Sequence, residues 1–346
     1  MKWHGLAHGS TQVGGSRGGP KAAADRGPKA LGAPAVRSVG THPPDKESEN
    51  HRAGFVTIVG RPNVGKSTLL NALLGQKVSI VSPRPQTTRT RIVGVKHLPA
   101  AQVVFIDTPG LHAPKGELDQ VMLRTVEQAL VAVDAVLFVA EATEDPQALP
   151  EAPLETLRAL TCPVFLCLNK ADLVKDKASL LPLIEAYRSR YPFREIVPIS
   201  AADGTNLDRL QELVVAALPL GPPHYPREST TDQPETFFIA EMIREQLFRW
   251  TYQEVPYACA VQVQGVKDRP GGTLYVQAAI FVEQESQKAI VIGQGGKMLR
   301  KIGQEARREL EAFFGVKVFL DLWVQVRRNW RRDERALREF GLMLTS

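Results

Sequence analysis

Three short stretches carry residue types whose spacing makes chemical sense around a nucleotide. Gly60-Arg61-Pro62-Asn63-Val64-Gly65-Lys66-Ser67-Thr68 fits G-x-x-x-x-G-K-[ST], directly after an apolar run and before a helical one, Thr68–Leu74. Glycines there let the backbone curl until its N–H groups and the helix N-terminus face phosphate oxygens. Lys66 then reaches the β- and γ-phosphates, and the Ser67 hydroxyl suits Mg²⁺. Asp107-Thr108-Pro109-Gly110 closes a second apolar run. Its carboxylate falls at the C-terminal end of a strand, where the metal needs it, with the Gly110 N–H placed to sense the γ-phosphate. Asn169-Lys170-Ala171-Asp172 closes a third run. A carboxylate there can accept two hydrogen bonds from the N1–H and 2-amino edge of guanine, donors that adenine lacks; helix capping by Asp172 is the plainer alternative. Ser200-Ala201 follows a fourth run and forms a small loop able to back the base.

These loops need a sheet to hold them. Between residues 55 and 218, short β-branched runs alternate with helix-length stretches: Phe55–Val59, Ile92–Lys96, Val103–Asp107, Ala135–Ala140, Val164–Asn169 and Glu195–Ile199. Apolar strands separated by helices predict an α/β domain, residues 53–218, whose mostly parallel sheet is covered on both faces. Residues 219–234 hold Pro219, Pro222, Pro223, Pro226 and Pro234 and read as a stiff, structureless linker.

Beyond the linker the pattern changes. Residues 235–250 have helical spacing, Ala258–Val266 and Thr273–Val282 alternate as strands about Arg269–Gly272, a helix follows Gly296, and Val316–Val326 reads as a strand. That order, helix, strand, strand, helix, strand, predicts a smaller α+β domain over 235–346, with one helical layer on a three-stranded sheet. Ile292-Gly293-Gln294-Gly295-Gly296 precedes a helix bearing Lys297, Arg300, Lys301, Arg307 and Arg308. A Gly-x-x-Gly loop so placed can clamp about four nucleotides of a single strand through its backbone. Arg327-Arg328-Asn329-Trp330-Arg331-Arg332 supports two readings equally: phosphate contact with base stacking, or a helix packed by Trp330, Leu337 and Phe340.

Composition narrows the class. The chain has 346 residues, 43% hydrophobic and 23% charged, enough for about two domains. No uncharged apolar run approaches the ~20 residues of a membrane span, and the N-terminus lacks a secretory apolar core, so a soluble protein is expected. Residues 286–346 carry 13 basic and 7 acidic side chains while residues 53–285 carry 22 and 26, so the cationic part lies at the C-terminal end, which suits a polyanionic partner and equally a solvated surface with a helical tail. Residues 1–52 hold 9 Gly and 5 Pro and are expected to be a disordered extension. A transit peptide and an overlong reading frame beginning upstream of Gly54 are the competing explanations. Cys162, Cys167 and Cys259 read as buried thiols of a reducing compartment, with Cys162 and Cys167 on opposite faces of one strand. The seven histidines form no pair at metal spacing in the ordered domains.

With these residues in order, the chain resembles the translation-factor-class GTPases and, more closely, the Era family, over about residues 54–341. Gln86-Thr87-Thr88-Arg89 resembles that family's first switch, Asp107 to Leu111 and His112 its second, and Leu322-Trp323-Val324 with residues 333–338 its C-terminal signature. The resemblance implies a P-loop GTPase domain followed by a type II KH domain. It further implies GTP/GDP and Mg²⁺, the metal held by Ser67, Asp107 and Thr88, with Thr87 as the alternative to Thr88. Hydrolysis would be carried by Lys66, Thr88, Asp107 and Gly110. The implied partner is the 3′ end of small-subunit ribosomal RNA in the small ribosomal subunit, bound during subunit maturation by a cytoplasmic monomer that is in part peripheral to the inner membrane face. Leu111 stands where Ras-like proteins carry a water-orienting glutamine, and related GTPases with an asparagine at the position of Asn63 use K⁺ beside the phosphates; a turn-stabilising role is the alternative for Asn63. A P-loop kinase or ATPase and a non-catalytic RNA-binding scaffold remain the rival functions.

Overall fold

Val56, Ile58, Phe105, Leu137, Val139, Phe165 and Cys167 face one core, and Val59, Val136, Phe138, Ala140, Leu166 and Leu168 another. Strands buried on both faces in this way read as continuous apolar runs, which is why they stand out in the sequence. In the computed structural model, which describes residues 50–147, 149 and 151–343, these runs become β1 (Arg52–Gly60), α1 (Lys66–Leu74), β2 (Ile92–Leu98), β3 (Ala101–Asp107), α2 (Glu117–Ala129), β4 (Ala135–Glu141), α3 (Ala152–Arg158), β5 (Val164–Asn169), α4 (Leu180–Arg188), β6 (Glu195–Pro198) and α5 (Leu207–Ala217). The sheet order is β2-β3-β1-β4-β5-β6, parallel except for β2 against β3. Most of the expected N-terminal extension, residues 1–49, lies outside the described residues.

The segment 219–234 has no helix or strand of its own, as expected, but it is not free. Gln102 Nε2 donates to Tyr225 O (2.7 Å), its Oε1 accepts from the N–H groups of His224 (2.7 Å) and Tyr225 (2.9 Å), and Val95 N donates to Thr230 O (2.9 Å). The linker thereby covers the otherwise open edge of β2.

The second sheet is formed with α6 (Glu235–Trp250), α7 (Val255–Ala258), β7 (Ala260–Arg269), β8 (Thr273–Val282), α8 (Glu285–Ile292), α9 (Lys297–Phe314), β9 (Lys317–Val326) and α10 (Glu334–Glu339). Its order is β7-β8-β9, antiparallel then parallel. Helix α8 departs from the expected order. It starts at a capping box between Gln284 and Gln287 but buries only Gln287 and Val291, so its apolar periodicity is too weak to register. Ala258, expected to open a strand, ends α7 instead.

A single helical layer is also a simplification. Ile239, Ile243, Ile302 and Leu310 pack on one face with Ala278 and Ile280, while Ala260, Ala279 and Phe281 on the other face meet Trp330 and Leu337 of the tail and Leu118, Val121 and Met122 of α2. Trp330 is fully buried and its Nε1 donates to Ala258 O at 2.8 Å. Of the two readings of the tail, packing is the one observed. A tryptophan so enclosed presents no face for a base. Arg327 pairs with Glu339 and Arg331 with Glu283. The three cysteines are unpaired; Cys167 and Cys259 are buried, whereas Cys162 is half-buried and precedes β5 rather than lying in it.

Candidate functional site

The turn after β1 demands unusual backbone. Gly60, Asn63 and Gly65 have φ of 154°, 66° and 96°. A Cβ at Gly60 would lie 2.2 Å from Val139 O, and one at Gly65 2.2 Å from Asn169 Nδ2, so crowding as well as conformation fixes both glycines. At the end of this turn Lys66 is 6% exposed and its Nζ donates to Gly60 O (3.2 Å) and Arg61 O (2.9 Å). Burial pulls the Lys66 ammonium down to about 8, against the opposing charge of Asp107.

Asp107 is fully buried at the end of β3. Its Oδ2 accepts from Ser67 Oγ (2.7 Å) and Ser79 Oγ (3.1 Å), and Ser67 Oγ lies 2.9 Å from Thr88 Oγ1. Burial raises its carboxyl above the ordinary range despite Lys66 and these hydroxyls. Its Oδ1 is buried with no hydrogen-bond partner. The hydroxyls of Ser67 and Thr88 beside a carboxylate whose other oxygen is unpartnered make an all-oxygen donor set that fits a hard divalent cation such as Mg²⁺. Of the two candidate threonines, Thr88 joins this group, while Thr87 Oγ1 donates to Arg84 O at 2.8 Å.

Pro62, Asn63, Gly65, Lys66, Ser67, Thr68, Thr87, Thr88, Gly110 and Lys170 line a cleft of about 380 Å³, closed opposite by Ile80–Arg84 and Gln86. Asn169 does not line it. Its Nδ2 donates to Val64 O (2.8 Å) and its Oδ1 accepts from Ala201 N (2.9 Å), so this amide ties the phosphate loop to the Ser200-Ala201 loop. Asp172 is exposed, with no side-chain hydrogen bond among the described residues and no helix capped by it, which leaves its carboxylate open to a base. Thr108 Oγ1 donates to Ile58 O (2.8 Å), Pro109 is buried, and Leu111 is 7% exposed in the core with its N–H on Gly60 O (3.0 Å). These three shape the loop from behind and do not face the cleft. Gly110 leaves no room for a side chain: a Cβ would lie 2.7 Å from Pro62 N.

Several residues of the site carry no motif. Asn71 clamps the chain after α1 through the N–H groups of Val78 and Ser79 (both 2.9 Å). From there to Arg89 the segment is held by the second sheet's helices. Glu245 pairs with Lys77 and accepts from Val81 N (3.0 Å), Arg244 Nη2 donates to Thr87 O (2.5 Å), and buried Arg89 donates to Cys259 O (2.7 Å) and Tyr257 O (3.0 Å). An arginine and a glutamate side by side in the apolar α6 were the available signal.

At the other candidate site, Gly293, Gly295 and Gly296 all have positive φ, 71°, 59° and 75°. The loop projects Gln294 and Gly295 into solvent between half-buried Ile292 and exposed Lys297. A groove of about 430 Å³ runs on from Gly296 between Arg300, Gln304 and Arg307 of α9 and Phe319–Leu322 of β9. Lys301 is placed differently from expectation: its Nζ sits 3.3 Å from the centre of the Trp250 ring, away from the groove.

Comparison with known proteins matches both domains. The family model described as "50S ribosome-binding GTPase" matches residues 55–170, and that of the KH domain residues 254–331. GTPase Era of Geobacter metallireducens is 52% identical over 291 residues, covering 84% of this chain and 97% of that one. GTPase Era of Heliobacterium modesticaldum is 46% identical, covering 85% and 98%. Among solved structures, a point variant of Aquifex aeolicus Era bound to GDP·AlF₄⁻ is 40% identical with a TM-score of 0.81, covering 85% of this chain and all of that one. Era in complex with MgGDPNP and nucleotides 1506–1542 of 16S ribosomal RNA is 41% identical with the same TM-score and coverage.

Proposed function

The chain belongs to the Era family of GTPases, and from that premise we propose how its own residues divide the work. GTP is hydrolysed to GDP and phosphate by water attacking the γ-phosphorus in line with the departing GDP oxygen. Little covalent chemistry falls to the protein, so positioning and charge neutralisation carry the rate. Lys66 holds the β- and γ-phosphate oxygens, the N–H groups of residues 60–68 cradle them, and Gly110 meets the γ-phosphate. When bound, Mg²⁺ neutralises charge on those oxygens; Ser67, Thr88 and Asp107 would hold it. Asp172 reads guanine, and the Ser200-Ala201 loop backs the base. A small-molecule kinase does not fit the family.

Membership also supports the second half of the reading, in which the Gly293–Gly296 loop clamps the 3′ end of small-subunit ribosomal RNA during subunit maturation. The boundaries 53–218, 219–234 and 235–346 follow from this division. A monomer in the cytoplasm, in part at the inner membrane face, completes it. No helix among the described residues is long and apolar enough to cross a membrane. Vesicle flotation with and without anionic lipid would test the membrane part.

The observation that carries the reading is the run of contacts from Thr88 through Ser67 to Asp107, whose second oxygen is left unpartnered, beside buried Lys66. RNA crosslinked to the protein in cells and sequenced should map to the 3′ end of small-subunit ribosomal RNA, with the crosslink lost on changing residues 294 and 295. Crosslinks spread evenly over ribosomal RNA would refute the assignment.

A further inference from the structure

The outer face of the β7-β8-β9 sheet is covered only at one end. Ala279, Phe281 and Trp323 lie under the tail and α2. Toward the other end, Tyr275 and Phe319 stand opposite each other in register, ring centres 5.6 Å apart and tilted by 34°. Phe319 is 53% exposed; among the described residues only Tyr252 is another aromatic ring so open. The Arg269 guanidinium lies over both rings, 3.9 Å from the centre of Tyr275 and 5.2 Å from that of Phe319.

Charge and continuity say what would cover such a patch. Lys267, Arg269 and Lys317 have no ion pair among the described residues; against them stand Asp268 and Asp321, the latter accepting from Tyr275 Oη at 3.1 Å. Phe319 also lines the groove that begins at Gly296, so the two surfaces meet along the β9 edge. Exposed rings interleaved with unpaired cations are what stacked bases and their phosphates require, whereas a merely solvated sheet face gains nothing from a phenylalanine in water.

We propose that this free half-face is a second contact surface for the single strand clamped at residues 293–296, which passes over the β9 edge and stacks one or two unpaired bases on Phe319, Tyr275 and the Arg269 plane. The proposal rests on the reading of that loop as an RNA clamp, and the two can fail separately.

The test uses the full chain and single-stranded oligoribonucleotides of two lengths, about four nucleotides to fill the loop and about twelve to reach the sheet. Tyr275→Ala with Phe319→Ala should weaken the long strand about 10- to 100-fold and leave the short strand and GTP binding unchanged. Phe319→Leu keeps the apolar surface without a ring and guards against misfolding; it should lose about tenfold on the long strand, while Phe319→Trp should restore or exceed the parent. A 2-aminopurine base beyond the clamped segment should be quenched on binding the parent and not the double variant. Equal affinity of parent and double variant for the long strand would overturn the proposal. So would a loss seen only with intact small subunits, which would point to a protein contact. Gln294→Asp with Gly295→Asp should weaken binding of both lengths about 100-fold; if it does not, the clamp reading fails and the sheet result is judged alone.

Discussion

Lys66 and Asp107 are both buried, and the polar atoms of their side chains are partnered except for Asp107 Oδ1. Arg300 and Arg307 at the other site line an open groove that begins next to exposed Lys297, with no carboxylate paired to any of the three among the described residues. The first region holds charge in a low-dielectric pocket, where each interaction is strong and each misplaced atom costly. The second presents cations at high dielectric, where attraction is long-ranged, weak per contact and screened by salt. One region selects a ligand by hydrogen-bond geometry, and the other gathers a polyanion and leaves selection to glycine backbone and stacking.

If that contrast holds, the largest effect belongs to the pocket. Asp172→Asn puts a donor where guanine presents donors, costing about 3–4 kcal/mol, or several hundredfold in GTP affinity, with a gain for xanthosine triphosphate. Asp172 is exposed and unbonded among the described residues, so the fold should be untouched. Competition titrations decide it, and an unchanged GTP affinity would remove Asp172 from the base site. Next comes Gln294→Asp with Gly295→Asp, which sets carboxylates against phosphate and should weaken RNA about 100-fold while GTP binding changes less than about twofold. The parent's RNA affinity should fall with log salt at a slope of about −2 to −3 for about three or four phosphate contacts. A flat slope would contradict the open-cation picture.

pH sharpens the same division. Free Lys66 titrates at about 8 and its phosphate-bound form stays protonated, so above pH 8 GTP binding must take up a proton. GTP affinity should fall about tenfold per pH unit between about pH 8 and 10. Because the native value lies below the unfolded 10.5, the nucleotide-free protein gains stability from this group as pH rises from 8 to 10.5. Isothermal titration at three pH values tests the binding half.

Between the two regions runs a seam that neither motif announces. Arg244→Ala removes the bond to Thr87 O next to Thr88 and should lower kcat about fivefold, with KM for GTP nearly unchanged and partial rescue by Arg244→Lys. An unaltered kcat would reduce the seam to packing. Its illegibility has a plain cause: Arg89 and Cys259 meet across 170 positions, and a sequence shows residue types without their partners. The sheet of the first domain and its four loops were legible because three of the strands that carry them, β1, β3 and β5, are buried on both faces and each loop begins where a strand ends. Asn169 was half legible, since its position was right but the bonds by which its amide ties two loops together were not readable. Trp330 was ambiguous because four neighbouring arginines fit either water or phosphate, and only the contact with Ala258 decides.

The smallest effect concerns the attacking water. Leu111 is buried with its N–H on Gly60 O and cannot orient a water molecule, so the charge that builds in the transition state needs another neutralising group. Asn63 is exposed at φ 66° and its side chain has no hydrogen bond among the described residues, so it does not brace the turn through its amide. Positive φ is tolerated by asparagine, which accounts for its backbone but leaves its carbonyl oxygen unused. A K⁺ ion held there beside the phosphates would act as an arginine finger does, without a partner protein. Replacing Na⁺ by K⁺ at constant ionic strength should raise intrinsic hydrolysis about three- to fivefold, a barrier change of roughly 1 kcal/mol. Asn63→Ala should lose that rise and keep its GTP affinity. Equal rates in the two salts would place the missing charge outside the nucleotide pocket, in RNA or subunit contacts transmitted across the Arg244 seam, and the contrast between a self-sufficient pocket and a dependent groove would then be too strong.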